Sequence, residues 1–63
     1  MKIEVEIEYF ADIAEVDPKQ AYMASISEGD YKGTVVTAES VAECFRQLGI
    51  SIMVLDDFRS RVG

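Results

Sequence analysis

The chain has 63 residues and a net charge of −6, from twelve acidic residues against six basic ones. This length supports one domain with a marginal core, because a chain of about 60 residues buries only about 60% of its unfolded surface on folding. A single cysteine excludes an intrachain disulfide, and the lack of histidine disfavours the common zinc sites and histidine-based catalytic triads. Self-association, into a dimer, is therefore expected to supply stability.

The placement of charged and apolar residues bears on partners and location. Nucleic-acid binding draws on clustered Lys and Arg, and the basic residues here are scattered, so direct binding to nucleic acid is not expected. The sequence shows no signal peptide and no apolar run long enough to span a membrane. One unpaired cysteine suits a reducing compartment. The sequence predicts a soluble cytoplasmic protein that needs neither cofactor nor metal.

The first predicted strand, about residues 2–10, alternates apolar and charged residues. Such alternation over eight residues is typical of a half-buried strand in an antiparallel sheet. One face is then apolar and the other carries three glutamates, about 7 Å apart along the strand. The apolar row is Ile3, Val5, Ile7 and Tyr9, and the acidic row is Glu4, Glu6 and Glu8.

The acidic row of the first strand is open to three interpretations. It can be a solvated face that discourages edge-to-edge aggregation. It can also be a docking face for a basic protein. A divalent-cation site is the third interpretation, and it is disfavoured because ligands on one straight strand do not converge.

Residues 10–19 contain the only proline, Pro18, and are predicted to form a long hairpin connection. Phe10, Ile13 or Val16 is expected to pack under the sheet edge. Further strands are predicted at about 20–28 and 33–38, joined by a turn containing two glycines. Three consecutive strands with turn connections indicate a meander.

A helix is predicted at about 41–58, begun by Ser40 as N-cap with Glu43 completing a capping box. Gly49 offers an alternative, in which the helix ends there and residues 50–55 form a fourth strand. The unbroken apolar stripe favours one helix lying on the sheet. The predicted fold is α+β, a three-stranded antiparallel meander packed on one C-terminal helix. The stripe comprises Val41, Cys44, Phe45, Leu48, Ile52 and Leu55.

The predicted helix has a second apolar row, formed by Ile50, Val54 and Phe58 on the side away from the stripe. A single-sheet domain has no intramolecular partner for this row, which predicts a dimer or partner interface. The alternative is that these are ordinary exposed apolar residues. Cys44 lies on the buried stripe, where a thiol behaves as a small hydrophobe. No catalytic residues are predicted.

The segment from residue 22 to residue 52 resembles the N-terminal domain of the HicB antitoxin family. The matching features are a strand with an aromatic-x-Ala-Ser segment, a glycine opening the next strand, a hydroxyl residue seven positions later, then an acid and an amphipathic helix. In this chain they are Tyr22-Met23-Ala24-Ser25-Ile26, Gly33, Ser40, Glu43, Cys44, Phe45, Leu48 and Ile52.

The resemblance implies a non-catalytic βββα domain that dimerises and binds a small basic toxin with RNA-cleaving activity. Antitoxins of this family commonly add a C-terminal DNA-binding segment, which this sequence lacks, so repression of an operon is not implied. A self-assembling orphan domain without a toxin partner is the alternative. RNA binding through a half-fold like that of double-stranded-RNA-binding domains is disfavoured by the acidic charge.

Overall fold

A computed structural model describes the backbone of residues 2–62. A three-stranded antiparallel sheet in the order β1-β2-β3 is followed by one long C-terminal helix, as the sequence predicted. The elements, in chain order, are β1 (Glu4–Tyr9), α1 (Ala11–Val16), a 3₁₀ turn (Pro18–Gln20), β2 (Tyr22–Glu28), β3 (Val35–Ala38) and α2 (Val41–Val62).

The register of the sheet places the apolar row of β1 on the same face as the core. Val5 lies opposite Ile26 and Ile7 opposite Ala24, while Glu6 lies opposite Ser25. Because side chains alternate between the two faces of a strand, the glutamates occupy the face opposite to the core. The strand alternation read from the sequence is therefore confirmed.

The connection between β1 and β2 differs from the predicted loop. It contains the short helix α1 and the 3₁₀ turn, whose first residues are held by Asp17, since its carboxylate accepts a hydrogen bond from the Lys19 backbone N–H at 3.2 Å. Ile13 is exposed and Val16 is 87% exposed, so neither packs under the sheet edge, and only Phe10 is half-buried. The expectation that Ile13 or Val16 packs under the sheet edge is therefore wrong.

Two glycines with positive φ shape the turn between β2 and β3. Gly29 has φ +109° and Gly33 has φ +95°, a region that side-chain-bearing residues rarely adopt. At Gly29 a Cβ atom would also lie 2.7 Å from the Lys2 carbonyl oxygen. The close approach of the β1 start to this turn therefore requires glycine at position 29.

Ser40 starts α2 as predicted, but the capping box is incomplete. The Ser40 hydroxyl accepts a hydrogen bond from the Glu43 backbone N–H at 3.1 Å. The Glu43 carboxylate turns forward instead of back, and accepts hydrogen bonds from Arg46 at 2.7 Å and from Gln47 at 3.1 Å. The nearby guanidinium is the stronger partner because its hydrogen bonds are charge-assisted.

The helix continues through Gly49, which excludes the fourth strand considered for residues 50–55. With 22 residues it is about 33 Å long at 1.5 Å per residue. It is therefore longer than the strands beneath it, and the chain measures 43 × 20 × 16 Å overall.

The core lies between β2, β3 and the inner side of α2. Its centre is buried and consists mostly of small and branched side chains, with one aromatic residue, Tyr31. Ile52 and Leu55 pack against this centre from α2, and Ile3 and Ile7 pack against it from the β1 side. The buried residues of the core are Ala24, Ile26, Tyr31, Ala38, Cys44 and Leu48.

Four residues predicted to be buried are exposed, by between 36% for Val5 and 57% for Tyr9. α2 packs on β3 and β2 rather than on β1, so Val5 and Tyr9 are left without a cover. On α2, Val41 and Phe45 are exposed. Phe45 follows the buried Cys44 by one position and so lies about 100° further round the helix, outside the contact with the sheet.

Candidate interaction surfaces

The charge of the chain is divided unequally between the sheet and the helix. Residues 1–40 contain nine acidic residues and three lysines, a net charge of −6. Residues 41–63 contain three acidic residues and three arginines, a net charge of zero. The sheet part therefore carries the whole net charge, and α2 carries none of it.

The acidic face is defined here as Glu4, Glu6 and Glu8, on the side of β1 opposite to the core. All three side chains are exposed. Lys2 Nζ lies 3.8 Å from Glu4 Oε1. Because both groups are exposed and far apart for an ion pair, this contact contributes little to stability. Among the described residues no ion pair involves Glu6 or Glu8. Because β1 is an edge strand, this row of carboxylates is accessible from the side as well as from above.

The carboxylates of the acidic face do not converge in the part of the chain that the structure describes. Within residues 2–62 no group of three His, Cys, Asp or Glu residues converges closely enough to hold a metal ion. The spacing of about 7 Å between alternate side chains on one strand keeps successive carboxylates apart. A solvated face and a docking face both agree with this geometry.

The outer ridge is defined here as Ile50, Val54 and Phe58, each four residues after the last along α2. Ile50 is 43% exposed, Val54 63% and Phe58 62%. The neighbouring Met53 is 71% exposed, so the apolar surface extends beyond the ridge. The structure thus places all three predicted interface residues together at the surface of one helix.

Ion pairs within α2 lie at both ends of the outer ridge. At the N-terminal end Arg46 binds Glu43, with 2.7 Å between Nη2 and Oε1. At the C-terminal end Arg61 binds Asp57, with 3.0 Å between Nη2 and Oδ2. The hydrogen bonds from Arg46 lower the pKa of Glu43, and the same hydrogen bonds raise the pKa of Arg46. The ridge is therefore bordered by polar groups whose charges cancel.

The C-terminal half of α2 is attached to the β2–β3 turn through Tyr31, which sequence reasoning did not find. The buried Tyr31 donates a hydrogen bond from its hydroxyl to Asp56 Oδ1 at 2.5 Å. The Arg59 guanidinium carbon lies 5.2 Å from the centre of the Tyr31 ring, and Arg59 Nη2 donates to the Asp30 carbonyl oxygen at 3.0 Å. These contacts account for an acid at position 56, where the helix macrodipole alone is unfavourable.

The environments of Tyr31 and Cys44 both disfavour ionisation. The hydrogen bond to Asp56 raises the pKa of Tyr31, and burial of the hydroxyl raises it further. Burial raises the pKa of the Cys44 thiol, and the nearby Glu43 adds to the effect. A buried thiol with a raised pKa is a poor nucleophile. The expectation that Cys44 behaves as a small hydrophobe agrees with its complete burial.

Comparisons with protein-family models, curated proteins and solved structures give no significant match to this chain. Within the described residues, no helix has the length and apolar character that crossing a membrane requires. Evidence about function therefore comes from the two surfaces themselves.

Proposed function

We propose that this chain is a non-catalytic protein-interaction domain that binds a basic protein through its acidic face. The observation that carries this proposal is the confinement of the net charge of −6 to residues 1–40, with three accessible carboxylates on one edge strand. A surface of one sign attracts a partner of the opposite sign and speeds their encounter. The site acts in the cytoplasm, a reducing compartment that suits a single cysteine.

The nature of the partner follows from the resemblance of residues 22–52 to HicB antitoxins. That resemblance supports a small basic toxin that cleaves RNA, and the order βββα is compatible with it. Non-catalytic action is supported by the absence of histidine from the sequence and by the burial of the only cysteine. The domain would neutralise the toxin by covering its basic surface.

The experiment co-expresses this chain with the product of the adjacent gene and tests whether the two proteins copurify. Replacement of Glu4, Glu6 and Glu8 by glutamine should weaken binding at least tenfold, and rising salt should weaken the wild-type complex. The matched control removes three exposed carboxylates elsewhere, by the substitutions Asp12→Asn, Glu15→Gln and Glu39→Gln. Equal losses in the two triple variants would assign binding to overall charge and contradict a docking role for the acidic face.

A second candidate function is self-assembly without a toxin partner, and the outer ridge is the observation that favours it. If the neighbouring gene product is neither small nor basic and the chain still associates with itself, the self-assembly function stands and the antitoxin function fails. The two functions use different surfaces, so variants of the acidic face and of the outer ridge separate them.

A further inference from the structure

The two edge strands of the sheet differ in what packs against them. β3 is contacted by α2 and by the 3₁₀ turn. α2 packs on β2 and β3, and α1 packs against the 3₁₀ turn, so neither helix covers β1 within residues 2–62. β1 is also the longer of the two edge strands, with six residues against four. The side of β1 that faces away from β2 is called the free edge here.

The hydrogen-bond ladder shows which backbone groups lie along the free edge. The Phe10 backbone N–H donates to the Ala21 carbonyl oxygen at 2.8 Å, so the backbone of Phe10 faces β2. In an antiparallel ladder the direction of these groups alternates from one residue to the next. The N–H and C=O groups of Val5, Ile7 and Tyr9 therefore point away from β2. Another extended strand has the spacing of donors and acceptors that matches them.

The side chains on both faces of the free edge are also accessible. On the face toward the core, Val5 is exposed and Tyr9 is more exposed still, because α2 does not reach β1. On the opposite face lie the exposed carboxylates of the acidic face. A strand added to β1 would therefore extend an apolar row on one face of the sheet and lie beside an acidic row on the other.

We propose that the free edge binds one extended segment of a partner protein, antiparallel to β1, in which basic residues alternate with apolar ones. This inference rests on the proposed function, since the acidic face is part of the contact, and it names the part of the partner that binds. In strand addition the main-chain hydrogen bonds supply affinity and alternate side chains supply specificity.

The direction of the backbone groups fixes how the two strands pair. Apolar residues of the segment lie opposite Val5, Ile7 and Tyr9, in the hydrogen-bonded pairs. Basic residues lie opposite the acidic face, in the pairs without hydrogen bonds, where side chains of neighbouring strands come closest together. Opposite charges at such positions stabilise the pairing of two strands.

The acidic face decides which kind of strand can pair with the free edge. A second copy of β1 in an antiparallel pair would set glutamates opposite glutamates, and like charges directly opposite each other are unfavourable. Charged side chains on an edge strand commonly prevent it from pairing with its own kind. The same carboxylates attract a strand that carries lysine or arginine at every second position. Charge complementarity therefore favours a basic strand over a second copy of this chain.

Isothermal titration calorimetry of the intact chain with synthetic peptides, at low salt, tests this inference. The probe is a short capped peptide in which lysine alternates with valine, and the control peptide has the same residues in two blocks. The alternating peptide should bind at least tenfold more tightly, because as a strand it places all its lysines on one face. Methylation of its valine backbone nitrogens should abolish binding. Methylation of its lysine backbone nitrogens, which point away from β1, should preserve binding.

Amide hydrogen exchange followed by NMR locates the bound peptide. The alternating peptide should slow exchange at Val5, Ile7 and Tyr9 at least tenfold, because their N–H groups gain acceptors. Thr37 is the control on the other edge strand. Because the Ile26 N–H donates to the Thr34 carbonyl oxygen, the alternation makes the Thr37 N–H point away from β2, and its exchange should not change.

Several results would overturn strand addition at the free edge. They are no binding of the alternating peptide, equal affinity for the alternating and block peptides, equal effects of the two methylations, and slowed exchange at Thr37 instead of at β1. The proposed function is judged separately, by copurification with the adjacent gene product. A partner that copurifies while the alternating peptide binds no better than the block peptide would leave the proposed function intact and remove this inference.

Discussion

The sheet and the helix of this chain expose opposite kinds of surface, one acidic and the other apolar. The apolar row of β1 is partly buried against the core, and its carboxylates are exposed to solvent. The outer face of the sheet is therefore hydrated and negatively charged. α2 buries a narrow inner stripe and presents apolar side chains to solvent, and four of its charged residues form ion pairs within the helix. The boundary between the two kinds of surface lies at Ser40, the N-cap of the helix.

The largest expected effect separates the inner and outer sides of α2. Leu48 is buried in the core, and Phe45 is exposed three residues earlier. Leu48→Ala should lower the free energy of unfolding by about 2–5 kcal/mol, because it leaves a cavity. Phe45→Ala should change it by no more than about 0.5 kcal/mol. Urea unfolding followed by circular dichroism measures both, and comparable losses would show that Phe45 is part of the core.

A smaller effect is expected at the two glycines of the β2–β3 turn. Alanine at either position carries the penalty of a positive φ, about 1–2 kcal/mol. Only Gly29→Ala also brings a Cβ against the Lys2 carbonyl oxygen, while Gly33→Ala meets no atom within 4 Å. Gly29→Ala should therefore cost on the order of 1 kcal/mol more than Gly33→Ala in urea unfolding. Equal costs would mean that the start of β1 moves away freely.

The smallest effect concerns the attachment of α2 to the turn, and it depends on pH. The pKa of Tyr31 is raised in the folded protein above its ordinary value of 10.0, so the hydrogen bond to Asp56 stabilises the fold while the hydroxyl keeps its proton. This stabilisation is fully present below pH 10 and is lost as pH rises through the higher folded pKa. Tyr31→Phe should therefore be less stable than the wild type at neutral pH, with the difference shrinking in alkali.

Urea midpoints for Tyr31→Phe and the wild type at neutral and alkaline pH measure this effect. Tyr9→Phe is the control, since Tyr9 is 57% exposed and its ring lies beside that of Tyr22, at 5.0 Å between ring centres. A pH-independent difference between Tyr31→Phe and the wild type would show that the hydrogen bond to Asp56 is not what Tyr31 contributes.

The parts of the fold that follow from short-range periodicity could be predicted from the sequence. The alternation in β1 placed its glutamates on the face opposite to the core, and the stripe that crosses Gly49 indicated one continuous helix. Both signals repeat over several residues, so one exception does not hide them. The outer ridge was found for the same reason, because Ile50, Val54 and Phe58 recur at one spacing.

The missed features depend on contacts between distant parts of the chain. Val41 and Phe45 fit the apolar stripe, but only the position of the sheet decides which side of that stripe is covered. Tyr31 and Asp56 are 25 residues apart in sequence, and no local pattern links them. α1 has six residues and no side-chain cap at Phe10, so it has neither the N-cap residue nor the repeated apolar spacing by which longer helices are predicted.

The turn at residues 29–31 is approached from both ends of the chain. The Lys2 carbonyl lies against Gly29, and Arg59 donates a hydrogen bond to the Asp30 carbonyl. The start of β1 and the C-terminal part of α2 therefore meet at the same turn. A circular permutant opened near Val16, on the exposed connection between β1 and β2, would place β1 after α2 in the chain and would test whether the sheet still assembles when its edge strand is synthesised last.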